Sequence, residues 1–343
     1  MKRVLLTGID GFIGHHLAEG ILKSTDWEIV GLSKIDSAST LQRLTDMERW
    51  DEFRSRVRFI FHDLRSPITP YIAERIGHID QIYHLAASTH VDRSIDMPRE
   101  FVLDNVVGTC SILDYARTLQ NLDFFMYFST DEVFGPAPEG SAYKEWDRYK
   151  SSNPYAASKA GGEELAYSYF NTYGLPAIIT HCMNVFGERQ HPEKYFPLVI
   201  NAVENGTKLT IHADKTRTKA GSRFYVHARN VAAAVLFLAD QFYKGVPVIG
   251  DKFNIVGEQE VDNLALAQRI AQIMGKDLTY ELVDFHGARP GHDLRYALDG
   301  SKLEQMGYTH PKTFDESLEK TVQWYLAHPQ WLGSEPYHRS LVF

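Results

Sequence analysis

Cysteine is nearly absent. Cys110 and Cys182 are the only two in 343 residues, and both sit inside apolar segments. That excludes a disulfide scaffold and reads as two free thiols in a reducing compartment. Long apolar runs are missing too, so no membrane span is expected. The opening Val4-Leu5-Leu6 run stops at Gly8 and Asp10, short of a secretory signal, and a cytoplasmic location is expected. Excess positive charge is also lacking. A formal net charge of −8 argues against a general nucleic-acid surface, although local basic pockets for a phosphate remain open. Fifteen histidines are present but scattered, without metal-ligand spacing, so no metal site is expected. There is no internal repeat and no low-complexity tract.

What remains is a regular alternation. Short buried strands are expected at residues 3–7, 28–32, 57–61, 81–85, 124–128 and 177–180. Helical patterns lie between several of them, at 12–23, 100–119 and 157–173. This predicts an α/β fold, a Rossmann-type doubly wound parallel sheet covered on both faces. After Asn184 the pattern changes to shorter elements with a loop at 214–222. A helix at 231–242 and a strand at 252–255 are expected to rejoin the first domain, and helices at 263–274 and 314–327 to belong to a smaller lobe. The division expected is residues 1–183 with about 224–256 for a dinucleotide, and 184–223 with 257–343 as a smaller α/β lobe for the substrate.

The first strand runs into Gly8-Ile9-Asp10-Gly11-Phe12-Ile13-Gly14. Glycines there allow a tight turn and let backbone N–H groups at a helix N-terminus approach a pyrophosphate. The acid that ordinarily takes an adenosine ribose hydroxyl after the second strand is displaced: Ser33 and Lys34 follow Leu32, and the nearest acid is Asp36. Ser33, Lys34 and Arg43 suit a 2′-phosphate, which leans the cofactor from NAD to NADP; the alternative keeps Asp36 or main chain on the ribose with Lys34 solvated. Asp63 and Leu64, after the third strand, are placed to frame the adenine.

Ser129-Thr130-Asp131-Glu132 and Tyr155-Ala156-Ala157-Ser158-Lys159 carry the chemistry. Tyr155 and Lys159, four apart on a helix, face the same way and suit hydride transfer at a carbinol carbon. The adjacent acids point to a second proton transfer at a neighbouring carbon, hence oxidation coupled to elimination. Adjacent carboxylates resist joint ionisation, so one can serve as acid and its neighbour as base.

With these residues the chain resembles the extended short-chain dehydrogenase/reductase superfamily. Within it, it is most similar to the nucleotide-sugar 4,6-dehydratases of the dTDP-glucose type. The resemblance rests on residues 7–14, 83–94, 129–135 and 153–159, on Pro192-Glu193-Lys194 and on Arg289-Pro290-Gly291-His292-Asp293. It implies that Tyr155 takes the sugar 4-hydroxyl proton and that Lys159 lowers the Tyr155 pKa and holds the nicotinamide ribose. Glu132 would remove the C5 proton, Asp131 protonate the departing 6-hydroxyl, and Thr130 hydrogen-bond the 4-oxygen. Leu85, Ala86 and Ala87 join the cofactor site. His90, Asp92, Arg93, Asn184, Glu193, Lys194, Asn254, Arg295 and Tyr296 surround the substrate, the last two with Lys194 at the nucleotide diphosphate, while His292 braces its loop. The cofactor would be regenerated each turnover, and the protein would be a homodimer paired through the 100–119 and 157–173 helices.

Several positions depart from the family pattern. His181 stands for a usual Arg, Val185 for a second Asn, and Leu294 for a frequent Arg. Either Arg217 or Arg223 takes the phosphate-binding place, which leaves the nucleotide base open. Competing readings are an epimerase or decarboxylase of the same superfamily, which usually lacks the adjacent Asp-Glu, and a non-catalytic dinucleotide-binding regulator.

Overall fold

The computed structural model describes residues 1–34, 40–284 and 294–333. Asp36 and the 289–293 stretch with His292 lie outside the described residues. Strands β1 (Arg3–Thr7), β2 (Glu28–Ser33), β3 (Val57–Phe61), β4 (Gln81–His84), β5 (Phe124–Thr130) and β6 (Ala177–Cys182) form one sheet with a seventh strand, Lys252–Ile255. The order is Lys252–Ile255, β6, β5, β4, β1, β2, β3, and every neighbouring pair is parallel. The order reverses at β1, between β4 and β2. At such a switch point the carboxyl ends of the strands leave a crevice for a ligand.

Both faces of the sheet are covered, which is why strands such as Arg-Val-Leu-Leu-Thr read as unbroken apolar runs. On one face Leu17 and Ile21 of helix α1 (Phe12–Ser24) share a core with Val231, Val235 and Leu238 of the Ala228–Tyr243 helix. On the other, Ile112 and Leu113 of the Gly108–Ala116 helix pack with Ala166 and Tyr169 of the Pro154–Tyr173 helix. A separate core gathers Phe196, Ile200, Ile270, Leu318 and Tyr325 from helices Tyr195–Asn205, Asn263–Met274 and Phe314–Ala327. Beside them strands Leu209–Ala213 and Tyr280–Asp284 pair in parallel.

Two helices differ from the periodicity reading. The pattern at 100–119 is not one α-helix: Pro98–Val102 passes through a π-turn, Leu103–Val107, before Gly108–Ala116. The helix expected at 157 begins at Pro154, because Asn153 caps it, accepting from Ala156 N, and proline suits the first helical position. Among the described residues no helix is long and apolar enough to cross a membrane, and no group of three or more His, Cys, Asp or Glu is placed to hold a metal ion. Both cysteines are free.

The turn between β1 and α1 depends on absent side chains. Gly8 has φ +69°, and a Cβ there would lie 2.9 Å from Ala86 N. A Cβ on Gly14 would lie 2.0 Å from Gly8 O, against backbone that cannot swing aside. Gly14→Ala should therefore cost about 1–3 kcal/mol in urea unfolding. Gly20→Ala, whose Cβ would meet the tip of Leu236 at 3.3 Å and Ala232 Cβ at an ordinary 3.5 Å, should be neutral or stabilising by up to about 1 kcal/mol. Equal losses at both positions would contradict this account of the turn.

Candidate active site

β5 is buried along its whole length and delivers Thr130 to the crevice, where the 3₁₀ turn Asp131–Phe134 follows. The Thr130 hydroxyl does two things there. It accepts from Glu132 N at 3.4 Å and donates to Asp131 Oδ1 at 3.0 Å. Asp131 is 4 % exposed, and its Oδ2 has no hydrogen-bond partner among the described residues. Burial first, and the charge of Glu132 second, push the Asp131 carboxyl up to about 7. Glu132 is only half-buried. Its Oε2 accepts from Asn153 Nδ2 at 3.0 Å and lies 3.5 Å from the Tyr296 hydroxyl. Two acids adjacent in sequence thus occupy unlike surroundings, one dry and one held by polar donors.

The Pro154–Tyr173 helix presents Tyr155, Lys159 and Glu163 along one stripe, each one turn from the next. Tyr155 packs against Val91 and edge-on to Phe101. Its phenol is held well above the usual range, first by burial and then by the Glu132 charge, against a Thr130 hydrogen bond that lowers it. Lys159 is 4 % exposed, its ammonium donates to Phe128 O at 2.6 Å, and it sits over the Tyr127 ring at 4.4 Å. Burial brings Lys159 down to about 7, while the charge of Glu163 raises it.

Glu163 is fully buried and was not anticipated, although its spacing of four from Lys159 was readable. Ser129 Oγ donates to its Oε2 at 2.6 Å; Lys252 Nζ at 2.9 Å, His181 Nε2 at 3.0 Å and the Tyr149 hydroxyl converge on its Oε1. Asn153, left outside the helix by the expected start at 157, is both its cap and the partner of Glu132.

A dinucleotide fits the turn after β1. The glycines leave a cradle that a Cβ would fill, and Gly11 caps α1 with no side chain, so the first N–H groups of the helix, at Phe12 and Ile13, face no capping group of its own. Leu85, Ala86 and Ala87 leave β4 beside it, with Leu85 N and Ala86 N both bonded to Thr7 Oγ1 at 3.1 Å. Ser33 is buried, its hydroxyl donating to Lys34 O. Asp63 is exposed and accepts from Arg65 N at 2.9 Å, with Leu64 buried next to it. The residues expected to hold a 2′-phosphate are engaged elsewhere. Lys34 Nζ pairs with Asp104 Oδ1 at 2.7 Å, and buried Arg43 donates to the carbonyls of Arg189 and Asp10.

The residues expected around the substrate divide into three groups. His90, Arg93 and Glu193 come together: Glu193 Oε2 lies 3.0 Å from Arg93 Nη2 and 3.7 Å from His90 Nε2. Asp92 lies in the same short helix, Val91–Asp96, and Lys194 caps the Tyr195–Asn205 helix. Burial, then the Lys194 charge, lowers His90 to about 4. Asn184 is exposed just beyond the end of β6. Arg223 sits over the Tyr296 ring at 4.6 Å, and its charge reaches Asp131, whereas Arg217 is exposed in a loop built around Asp214.

Two expectations are corrected, and a third is redirected. Asn254 is 1 % exposed, and its side chain is occupied by His181 Nδ1, Tyr143 O and Asp299 O. Arg295 spends its donors on both oxygens of Glu260 and on the carbonyls of Pro138 and Ser141, so it clamps the 138–141 loop rather than facing a diphosphate. Tyr296, expected at the diphosphate, brings its hydroxyl to 3.5 Å from Glu132 Oε2.

A model of the GDP-mannose 4,6 dehydratase family matches residues 5–321. The dTDP-glucose 4,6-dehydratase of Escherichia coli is 33% identical, with 96% of this chain and 95% of that protein covered. A trifunctional UDP-glucose 4,6-dehydratase, 3,5-epimerase and reductase of Arabidopsis thaliana is 34% identical over 97% of this chain, which spans 48% of that protein. Among solved structures, the dTDP-glucose 4,6-dehydratase DesIV of Streptomyces venezuelae, with NAD bound, is similar at a TM-score of 0.85 and 32% identity, covering 96% of this chain and 98% of that one. A UDP-glucuronic acid 4-epimerase of Bacillus cereus, in complex with UDP-glucuronic acid and NAD, reaches 0.83 at 26% identity, covering 95% and 99%. The architecture is thus shared between dehydratases and epimerases, and the residues at the end of β5 have to separate them. With a family model matched from β1 into the Phe314–Ala327 helix, the chain belongs to the GDP-mannose 4,6-dehydratase family.

Proposed function

We propose that the protein is an NDP-hexose 4,6-dehydratase acting on a dTDP-glucose-like substrate, with NAD rather than NADP as its cofactor. The observation that carries this reading is the pair at the end of β5: Asp131, dry and holding its proton up to about 7, beside Glu132, braced by Asn153 and Tyr296. An epimerase needs no such pair. NAD, when bound, supplies acceptance of hydride from C4 and its return to C6.

The chain's own residues do the rest. Tyr155 takes the 4-hydroxyl proton, and Thr130 steadies the 4-oxygen. Lys159 reaches the nicotinamide ribose and, once drawn from the Phe128 carbonyl, supports the Tyr155 phenolate. The C4 ketone makes the C5 proton acidic; Glu132 removes it, and Asp131 gives its proton to the departing C6 oxygen. Gly8, Gly11, Phe12, Ile13 and Gly14 hold the pyrophosphate. His90, Asp92, Arg93, Asn184, Glu193, Lys194 and Arg223 line the sugar nucleotide. On this reading residues 1–183 with 224–256 serve the dinucleotide and the remainder the substrate; the separate core of the Tyr195–Asn205, Asn263–Met274 and Phe314–Ala327 helices supports a second lobe, although Tyr296, Leu298, Leu303 and Tyr308 pack in the core of the first. Exposed Val102, Val107 and Tyr173 support pairing of two copies through the helices at 98–116 and 154–173; a cytoplasmic location belongs to the same reading.

Incubation with dTDP-, UDP-, GDP- and CDP-hexoses deuterated at C4, read by mass spectrometry and NMR, should show loss of water with deuterium recovered at C6. A product of unchanged mass would sink the dehydratase reading. Glu132→Gln should still oxidise C4 but slow elimination by about 10²–10⁴-fold; loss of oxidation alone would remove Glu132 from its role. Elimination should also fall as pH climbs through about 7, where Asp131 gives up its proton.

The same carboxyl makes a stability prediction. Its folded value, about 7, exceeds the ordinary 3.8, so the native state binds the proton more tightly than the unfolded chain. Stability is therefore lost as pH rises from about 4 to about 7. Asp131→Asn escapes this penalty, and its Tm should exceed the parent's at pH 8 by the equivalent of about 1–4 kcal/mol, with the gap closing at pH 4. A gap independent of pH would contradict the assignment.

A further inference from the structure

The carboxyl ends of β2, β3 and β4 meet at one polar cluster that the dehydration chemistry does not use. Asp104 is its centre. Lys34, just after β2, donates to Asp104 Oδ1 at 2.7 Å. Arg65, after β3, donates through Nε to Oδ1 at 2.7 Å and through Nη2 to Oδ2 at 3.1 Å. Ser88, after β4, donates to Oδ2 at 2.6 Å. Asp104 comes from none of these strands. It stands in the π-turn Leu103–Val107, an irregularity that often marks a functional position. The next residue, Asn105, pins that turn: its amide bonds Ser88 N at 2.8 Å, Ser88 O at 3.0 Å and Ser158 Oγ at 2.9 Å.

The charges facing this centre come from every element around it. Lys34 and Arg65 are cations; Asp104 and Glu100, the latter 2.6 Å from Arg65 Nη1, are anions; Asp63 is exposed and bonded to Arg65 N. The Asp104 side chain is 9 % exposed against 31 % for each of its two cations, so the carboxylate lies beneath and the ammonium and guanidinium lie above it. Burial works against that charge, but Arg65, Lys34 and Ser88 bring the carboxyl down to about 2.

In a sheet of this topology the end of β2 meets the adenosine ribose, and an acid there accepts from the 2′-hydroxyl. Here a lysine holds that place and the acid arrives from another helix. We propose that Asp104 is the residue that selects NAD over NADP, by holding Lys34 and Arg65 in a closed ion cluster at the ribose end of the site. A 2′-hydroxyl leaves the cluster intact. A 2′-phosphate could recruit the two cations only by stripping them from a buried carboxylate, and an uncompensated buried charge is costly. This inference rests on the reading that the turn after β1 binds a dinucleotide.

The test uses full-length protein freed of dinucleotide, with NAD+ and NADP+ affinities measured by calorimetry. The parent should prefer NAD+. Asp104→Asn should tighten NADP+ binding about tenfold or more, because two cations are released toward the 2′-phosphate, and should leave NAD+ within about threefold. Lys34→Gln added to Asp104→Asn should take most of that gain away. Asp104→Ser, which keeps an acceptor for Ser88, carries the same expectation should Asp104→Asn fail to fold. A parent that binds neither dinucleotide would overturn the reading of the glycine turn. A parent that prefers NAD+, with an Asp104 variant whose NADP+ to NAD+ ratio is unchanged, would overturn only the role of Asp104.

Discussion

A carboxylate with no access to water sits where the sheet and the main active-site helix meet, and the geometry of the site depends on how Glu163 is satisfied. Removing one charge from water costs several kcal/mol unless partners replace the lost hydration. Here they come from four directions: Ser129 on β5, His181 on β6, Lys252 on the edge strand, and Tyr149 from the loop before the helix. Lys252 brings its ammonium to that carboxylate from the neighbouring strand, over the rings of Trp146 and Tyr149 at 4.6 and 4.8 Å. The network ties the last residues of β5 to the helix that carries Tyr155 and Lys159. It also places a negative charge that favours an ionised Lys159 against its burial.

From that anchor the division between the two acids follows. Ser129 is held by Glu163, and the 3₁₀ turn begins immediately after Thr130. The turn sends Asp131 inward and Glu132 toward Asn153 and Tyr296. Asn153 is economical: one side chain caps the helix through Oδ1 and steadies Glu132 through Nδ2. Glu132 is thereby fixed to the same helix end that positions Tyr155, so in the proposed reaction oxidation at C4 and proton removal at C5 would share one frame.

Much of this was legible because periodicity and turn chemistry are local. The buried strands, the glycine turn, the Tyr-Lys spacing and the Asp-Glu pair need only their neighbours to be read. What escaped depends on pairings distant in sequence. Arg295 looks like a phosphate ligand until Glu260 and the 138–141 carbonyls are brought to it, and Asn254 looks like a ligand until β6 places His181 beside it. Arg223 and Arg217 separate only once Ser222–Phe224 pairs with Glu260–Asp262, which leaves Arg217 on an exposed turn at φ +58°. The π-turn at Leu103–Val107 lies inside a stretch whose apolar residues read as one continuous helix, so spacing alone does not reveal it.

The cofactor end makes the same point for charge. Counting Lys34 and Arg43 as available cations favours a 2′-phosphate, but a cation's sequence position does not say whether its charge is already committed. Arg43 is buried under main-chain carbonyls, and Lys34 is matched by an acid seventy residues away. An acid absent from its customary place after β2 is not absent from the site when a π-turn delivers one from across the crevice. The electrostatic preference at the ribose is then set by the net charge of the assembled cluster, not by the residue that follows the strand.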